Sequence, residues 1–141
     1  MKPSYTFIDH TADVLFEAKA ETKEELFAQC GLALEETQVN LAKVEQKVTQ
    51  EITGENEKLD RLLFDFLDDV LFYKDAELLI FNKFDITITK DETYKLHCIA
   101  HGEKLDHQKH EPKVDVKAIT MHLFEVKEID DGFYAKVLVD I

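Results

Sequence analysis

The most regular pattern in the sequence is a helical stripe in the middle of the chain. Seven apolar residues recur there at the three- and four-residue spacing of an amphipathic α-helix: Leu59, Leu62, Leu63, Phe66, Leu67, Val70 and Leu71. Charged residues such as Asp65, Asp68 and Asp69 lie on the opposite side. Because an apolar face must be covered by another apolar surface, this helix requires a second layer from the rest of the chain. Phe72 departs from the pattern, since it falls on the polar face, where either a loop or a partner would cover it.

A second pattern predicts a helix that begins after Thr22. Thr22 and Glu25 have the spacing of a capping box. The apolar residues that follow, at positions 26, 27, 30, 33 and 34, share one helical face. Gly31 costs a helix interior about 1 kcal/mol relative to Ala, so it weakens the prediction for the second half of this helix.

Alternating apolar and polar residues predict strands in most of the remaining chain. Gly54 is expected to end the third strand, and a phase change near 118–120 predicts a bulge or break in the sixth. The polar, His-rich residues 101–113 are expected to form a loop, and Asp131-Gly132 a tight turn. The candidate strands are 5–8, 13–20, 44–54, 84–88, 94–100, 114–128 and 133–141.

Together these elements predict the fold class. We expect a two-layer α+β single domain over residues 1–141, in which a mainly antiparallel sheet of six to seven strands packs with two amphipathic helices. The length of 141 residues allows a substantial core without disulfide bonds.

The charge balance restricts the partners. The chain has 17 Lys and Arg against 30 Asp and Glu, a net charge of −13. Such a surface repels phosphate backbones, so strong direct binding of nucleic acid is not expected, whereas cations or a basic protein partner are favoured. The N-terminal residues carry no apolar signal segment, and no apolar run is long enough to span a membrane. We therefore expect a cytoplasmic protein without membrane contact.

Nucleophilic and zinc chemistry have weak support. Ser4, the only serine, lies near the N-terminus, and Cys30 and Cys98 lie on apolar faces, where a free cysteine usually packs in the core. His107 and His110 have helical ligand spacing but no evident third ligand. His97 and His101 would point away from Cys98 on a strand, so solvated loop histidines are the preferred interpretation over a zinc site.

An acidic group offers a more specific possibility. Asp9 and Asp13 lie between the first two strands, and Asp140 lies at the end of the last strand. If the second and last strands pair antiparallel, Asp13, Asp140 and the carboxylate of Ile141 converge. Three carboxylates held together require protons or a cation, and oxygen ligands suit Ca²⁺ or Mg²⁺. Solvated turn carboxylates remain the alternative.

Five motifs stand in order along the chain. They are Phe7-x-Asp9-His10-Thr11-Ala12-Asp13, Leu62-Leu63-Phe64-Asp65-Phe66-Leu67, Gly102-Glu103 with Asp106 and His110, Val116-Lys117-Ala118-Ile119-Thr120-x-His122, and Val137-Leu138-Val139-Asp140-Ile141. Together these motifs resemble the archease family. The second motif has Phe66 where many members of that family carry Trp, a change that keeps an apolar residue at this position.

The resemblance implies a function. Archeases are accessory proteins of the RtcB-type RNA ligase, which joins RNA ends in tRNA splicing and RNA repair. They promote guanylylation of that ligase and its multiple turnover, and they are not themselves enzymes. By the resemblance, Asp13, Asp140 and Ile141 would be ligands of a divalent hard cation, Ca²⁺ or Mg²⁺, and Lys117 would be required for activation. His10, from the first motif, and Phe72, from its position on the polar helix face, are further candidate partner contacts.

Two other function classes remain open. The first is a metal-dependent hydrolase that uses the Asp13 and Asp140 carboxylates to activate water. The second is a chaperone-like module for RNA-processing enzymes, which would bind several unrelated proteins.

Overall fold

The computed structural model describes residues 1–10 and 12–141; Thr11, part of the first motif, lies outside these residues. Within them the chain forms three α-helices and seven strands, and the predicted α+β class is confirmed. The elements are β1 (Ser4–Ile8), β2 (Val14–Ala20), α1 (Lys23–Gln38), a 3-10 turn (Leu41–Lys43), β3 (Val48–Asn56), α2 (Leu59–Glu77), β4 (Leu79–Lys90), β5 (Tyr94–Lys104), α3 (His107–His110), β6 (Ala118–Ile129) and β7 (Gly132–Asp140).

The strands form two antiparallel sheets. One has the order β1-β2-β7-β6 and the other β3-β5-β4. The alternating pattern predicts the strands but does not divide them between sheets, because both sheets bury one face in the same way. The apolar faces of both sheets and of α1 and α2 meet in one core.

Helix α1 begins as its capping residues predict. The Glu25 N–H donates to Thr22 Oγ1 at 3.1 Å. The helix runs through Gly31 to Gln38, so its second half forms despite the glycine. A Cβ atom at Gly31 would lie 2.7 Å from the Phe84 ring, and the close approach of ring and helix therefore requires glycine.

Helix α2 buries its predicted stripe. Phe66 lies in the core, with its ring centroid 6.0 Å from that of Phe27 and 5.7 Å from that of Phe84. Phe72 is 57% exposed, as its position on the polar face predicts. The helix stops at Leu78, whose left-handed φ of 56° turns the chain into β4.

Several predicted boundaries are wrong, and the fourth strand is longer than 84–88, since β4 covers Leu79–Lys90. The third strand begins at Val48, because Val44 closes the 3-10 turn by donating its N–H to the Leu41 carbonyl. Gly54 does not end that strand, which pairs with β5 as far as Asn56. Residues 114–117 precede β6 and are irregular, whereas the expected phase change is confirmed as a break in pairing between Thr120 and Glu125.

The predicted loop at 101–113 is partly ordered structure. Strand β5 continues to Lys104 because Gly102 pairs with Val48 on one side and Phe81 on the other. A Cβ at Gly102 would lie 1.8 Å from the Ile80 carbonyl oxygen, so only glycine permits this pairing. A short helix, α3, then follows.

Candidate functional site at one end of the four-stranded sheet

Four strand termini come together at one edge of the β1-β2-β7-β6 sheet. Because neighbouring strands are antiparallel, the end of β1, the start of β2, the end of β7 and the start of β6 lie side by side. His10 follows β1, Asp13 precedes β2, Asp140 ends β7 and Lys117 precedes β6. The topology therefore places four of the predicted site residues along one edge.

Asp13 and Asp140 lie at neighbouring strand ends. Val14, the first residue of β2, lies opposite Val139, and Asp13 and Asp140 are the next residues beyond this pair. Asp13 is half-buried and Asp140 is exposed. The Asp140 carbonyl accepts a 2.8 Å hydrogen bond from the Lys117 N–H, which ties the start of β6 to the same point.

The donor set at this edge is rich in oxygen. In residues 1–10 and 12–141, no three side chains of His, Cys, Asp or Glu come together as a metal cluster. The set expected from the sequence has only two side-chain carboxylates, from Asp13 and Asp140, and takes its remaining oxygens from Ile141. Such ligands fit a hard divalent cation, which accepts carboxylate, carbonyl and water oxygens in flexible geometry.

A groove of about 550 Å³ adjoins Asp13. Its apolar walls include Phe7, which is 44% exposed, and Val114. His10 and Asp13 line the same groove, together with the carboxylates of Asp9 and Glu36. Lys113, whose Nζ lies 3.7 Å from Glu36 Oε2, lines the groove as well, so its apolar walls carry a charged rim in which carboxylates outnumber ammonium groups.

A second groove, of about 390 Å³, lies between α2 and the start of β6; we call it the α2–β6 groove. It is lined by Asp68, Leu71, Phe72, Asp75, Ala76 and Lys117. Phe72 and Lys117, which the sequence suggested separately as partner contacts, therefore face one depression. The exposed Phe72 ring has carboxylates four residues before it and three residues after it on the same helix.

Residues 111–117, which we call the connecting segment, carry Lys117 to this groove. The Lys113 N–H donates to the Gln38 carbonyl at 2.8 Å, and Lys113 Nζ donates to the Glu36 carbonyl at 3.1 Å. Val116 is buried in the core. Sequence periodicity gave no sign of this arrangement, because the connecting segment is neither helix nor strand and is held by residues far away in the chain.

His110 is buried, so its interpretation as a solvated loop histidine is wrong. The Asp106 N–H donates to His110 Nδ1 at 2.8 Å, and His110 Nε2 lies 2.9 Å from Glu103 Oε2. Since Nδ1 accepts, Nε2 carries the proton and donates to the carboxylate. Loss of solvent raises the pKa of Glu103, but hydrogen bonds from Lys109, His110 and the Glu45 N–H outweigh it and lower the pKa to about 2. This pair fixes α3 against β5.

Two further histidines and both cysteines have structural positions. His97 lies 2.7 Å from Glu51, and His101 lies 2.7 Å from Asp85, each across neighbouring strands. Both cysteines are buried as predicted, and burial raises the pKa of Cys98 to about 12, so its thiol stays protonated.

Glu35 is a buried carboxyl group that the sequence analysis did not single out. The Phe81 N–H donates to Glu35 Oε2 at 2.6 Å, and Gln38 Nε2 donates to Oε1 at 3.0 Å. Burial raises the pKa of Glu35 to about 8, because the ionised form loses its hydration. Glu35 directly follows Leu34, a residue of the apolar face of α1, and this neighbourhood was the sequence feature that could have indicated its burial.

None of the helices within residues 1–10 and 12–141 is both long and apolar enough to cross a membrane.

Comparisons with known proteins agree with this architecture. A protein archease of Pyrococcus abyssi is 42% identical over 132 residues, which cover 93% of each chain. A protein archease of Methanosarcina barkeri is 31% identical over 139 residues, covering 97% of this chain and 95% of the relative. The solution structure of Methanobacterium thermoautotrophicum protein 1598 superposes with a TM-score of 0.87 at 34% identity, covering 97% of this chain and 98% of the other.

A more distant structure has the same fold. The crystal structure of a Thermotoga maritima protein, described as an archease and possible chaperone, superposes with a TM-score of 0.63 at 20% identity and covers 95% of this chain and 94% of the other. The sequence profile of the archease protein family matches residues 5–141. With the match spanning nearly the whole sequence, the chain belongs to the archease family.

Proposed function

We propose that this protein is a metal-binding accessory protein that activates an RtcB-type RNA ligase by promoting its guanylylation and multiple turnover. The observation that carries the proposal is the meeting of Asp13, Asp140 and Lys117 at one edge of the sheet. Asp13 is at least 104 positions away from Lys117 and Asp140 in the sequence, yet strand pairing brings the three residues to the same edge. A surface that combines oxygen ligands with a lysine favours a role in binding and regulation.

In this proposal Asp13, Asp140 and the Ile141 carboxylate hold Ca²⁺ or Mg²⁺. A bound cation would neutralise carboxylates that otherwise repel one another. Asp13 and Asp140 would hold the strand ends in register, and the Lys117 N–H bond to the Asp140 carbonyl would transmit that order to the start of β6. The metal ligands at the strand ends would thus help to fix the position of Lys117.

The surface charge supports a basic protein partner. Asp68 and Asp75 flank Phe72 in the α2–β6 groove, and the whole chain carries a net charge of −13. An enzyme that binds RNA presents basic side chains, which such a surface attracts and orients. Phe72 would supply the apolar contact, and Lys117 would contact an acidic group of the ligase. His10, in the neighbouring groove beside Asp13, would contact the same partner.

Multiple-turnover RNA ligation tests this proposal. An RtcB-type ligase is given an excess of RNA ends, GTP and divalent metal, with wild-type protein, Lys117→Ala, or the matched control Lys127→Ala, which removes an exposed lysine near the end of β6. Wild type and Lys127→Ala should raise turnover, and Lys117→Ala should not. Equal turnover with and without wild-type protein contradicts the proposal. A reaction that omits the ligase tests the metal-dependent hydrolase, which would release phosphate or nucleotide by itself.

A chaperone-like module is the second candidate, because Phe7 and Phe72 leave two exposed apolar contacts. The description of the Thermotoga maritima relative as a possible chaperone supports it. Affinity capture with wild type and Phe72→Ser separates the two candidates. One dominant ligase that depends on Phe72 supports the activator, whereas many unrelated proteins support the chaperone.

A further inference from the structure

An ion pair links the helix that carries Phe72 to the connecting segment that carries Lys117. Lys74 Nζ donates to an Asp115 carboxylate oxygen. Lys74 lies two residues after Phe72 in α2, and Asp115 lies two residues before Lys117. This contact therefore joins the two walls of the α2–β6 groove.

The two partners of this ion pair differ in exposure. The Lys74 side chain is 12% exposed, whereas that of Asp115 is 77% exposed. The Lys74 side chain lines a cavity of about 270 Å³, with Gln38 and Val114 among the other lining residues. An ammonium group that has lost most of its water needs an anionic partner, but an exposed carboxylate does not. Asp115 is the nearer of the two carboxylates beside Lys74, since Asp75 Oδ1 lies 3.6 Å from the same Nζ, so Lys74 determines where Asp115 is held.

The connecting segment is anchored on both sides of this point. The Lys113 N–H donates to the α1 residue Gln38, and the Lys117 N–H donates to Asp140 at the end of β7, each at 2.8 Å. Asp115 lies midway between these anchors, next to the buried Val116, and its carboxylate makes the ionic contact of the connecting segment with α2. Loss of the Asp115 carboxylate would remove neither backbone partner, so the fold should persist, but the Lys117 N–H bond would open more often and the position of Lys117 relative to Phe72 would become less defined.

We propose that Lys74 and Asp115 are positioning residues whose ion pair holds Lys117 and Phe72 in the mutual arrangement that the ligase contacts. The inference rests on the proposed function and adds residues that the family motifs do not assign. Without the ion pair, docking must order Lys117 as well as bind it, and that entropy cost weakens association. The maximal rate of the activated ligase should stay the same, since the contacts made after docking are unchanged.

The test titrates Asp115→Asn against the ligase under multiple-turnover conditions. The concentration for half-maximal activation should rise about three- to fivefold, as expected for loss of an ion pair with one exposed partner, without a change in maximal rate. Lys74→Asp should need a still higher concentration for half-maximal activation, because it places a second carboxylate next to that of Asp115. The exchanged pair, Lys74→Asp with Asp115→Lys, should return to within about twofold of wild type. Lys127→Met, from the exposed Lys127–Glu125 pair, is the control.

A second readout needs no ligase. Hydrogen exchange of the Lys117 N–H should be faster in Asp115→Asn than in wild type, whereas exchange in α1 and β2 should be unchanged. The inference is overturned if Asp115→Asn has the same exchange rate at the Lys117 N–H as wild type, or the same half-maximal concentration. It is also overturned if the exchanged pair does not restore activation. If wild type does not activate the ligase, or Lys117→Ala activates it normally, the proposed function fails instead, so the two failures are distinguishable.

Discussion

Glu35 offers the most quantitative prediction, because a carboxyl group is buried at the centre of the molecule. Its pKa is raised to about 8 by burial, against 4.5 for the free side chain. The folded protein therefore binds a proton that the unfolded chain has released at intermediate pH. A raised pKa contributes stability that is fully present below the unfolded value and is lost as the pH rises toward the folded value. The free energy of unfolding should thus fall between about pH 4.5 and pH 8.

The magnitude follows from the two pKa values. Each pH unit inside this window removes about 1.4 kcal/mol. Between pH 5 and pH 7 the contribution of Glu35 should fall by about 2.5 kcal/mol. In Glu35→Gln the amide keeps the Phe81 N–H bond and does not titrate, so this variant should be about as stable as wild type at pH 5 and more stable at pH 7 and 8.

Urea unfolding of both proteins at pH 5, 6, 7 and 8 measures the effect. The difference between them cancels titration of every other group, and Glu128→Gln, an exposed position on β6, controls for the loss of a carboxylate. Parallel pH profiles for wild type and Glu35→Gln would refute the reasoning. A difference that grows in the opposite direction would show that Glu35 is ionised in the folded state.

Three further predictions concern the core, the metal and the buried His–Glu pair. Gly31→Ala should lose about 1–2 kcal/mol in urea unfolding despite the better helix propensity of Ala, because its Cβ meets the packed Phe84 ring; a gain in stability would contradict the packing argument. Ca²⁺ or Mg²⁺ at about 100 times its Kd should stabilise wild type by about 2.7 kcal/mol in thermal unfolding. Asp13→Asn, Asp140→Asn or an extension after Ile141 should abolish that stabilisation, and Asp131→Asn should keep it. If every variant is still stabilised by the cation, Asp13, Asp140 and Ile141 are not its ligands. Because the pKa of Glu103 is lowered to about 2, its contribution should be present above about pH 4.5 and lost toward pH 2, so Glu103→Gln should destabilise the protein at pH 7 but not at pH 2, as followed by circular dichroism.

Elements with a strong local period could be predicted from the sequence. The stripe of α2 predicts both its buried face and the exposure of Phe72, because helix geometry alone sets which residues share a face. The placement of Asp13 and Asp140 at neighbouring strand ends follows from antiparallel pairing of two alternating strands. Both inferences need only the residue period of a helix or strand and the direction in which two strands pair.

Features that depend on distant partners could not be predicted in this way. Glu35 is polar and is buried because a group far away in the chain, the Phe81 N–H in β4, satisfies it. His110 is satisfied by nearer groups, the Glu103 carboxylate and the Asp106 N–H, which come together only when α3 folds back on β5. The connecting segment has no period, since its backbone bonds go to Gln38 and Asp140. The division of the strands into two sheets is likewise a tertiary choice that alternation does not encode.

The central claim is that the sheet edge with Asp13, Asp140 and Lys117 promotes guanylylation of the ligase. The most direct measurement is the rate at which an RtcB-type ligase acquires covalent guanylate from labelled GTP, with wild type, Lys117→Ala or Lys127→Ala added. We predict a faster rate with wild type and Lys127→Ala, and the rate of the ligase alone with Lys117→Ala. The same rate with wild type, with Lys117→Ala and without either protein would contradict the account.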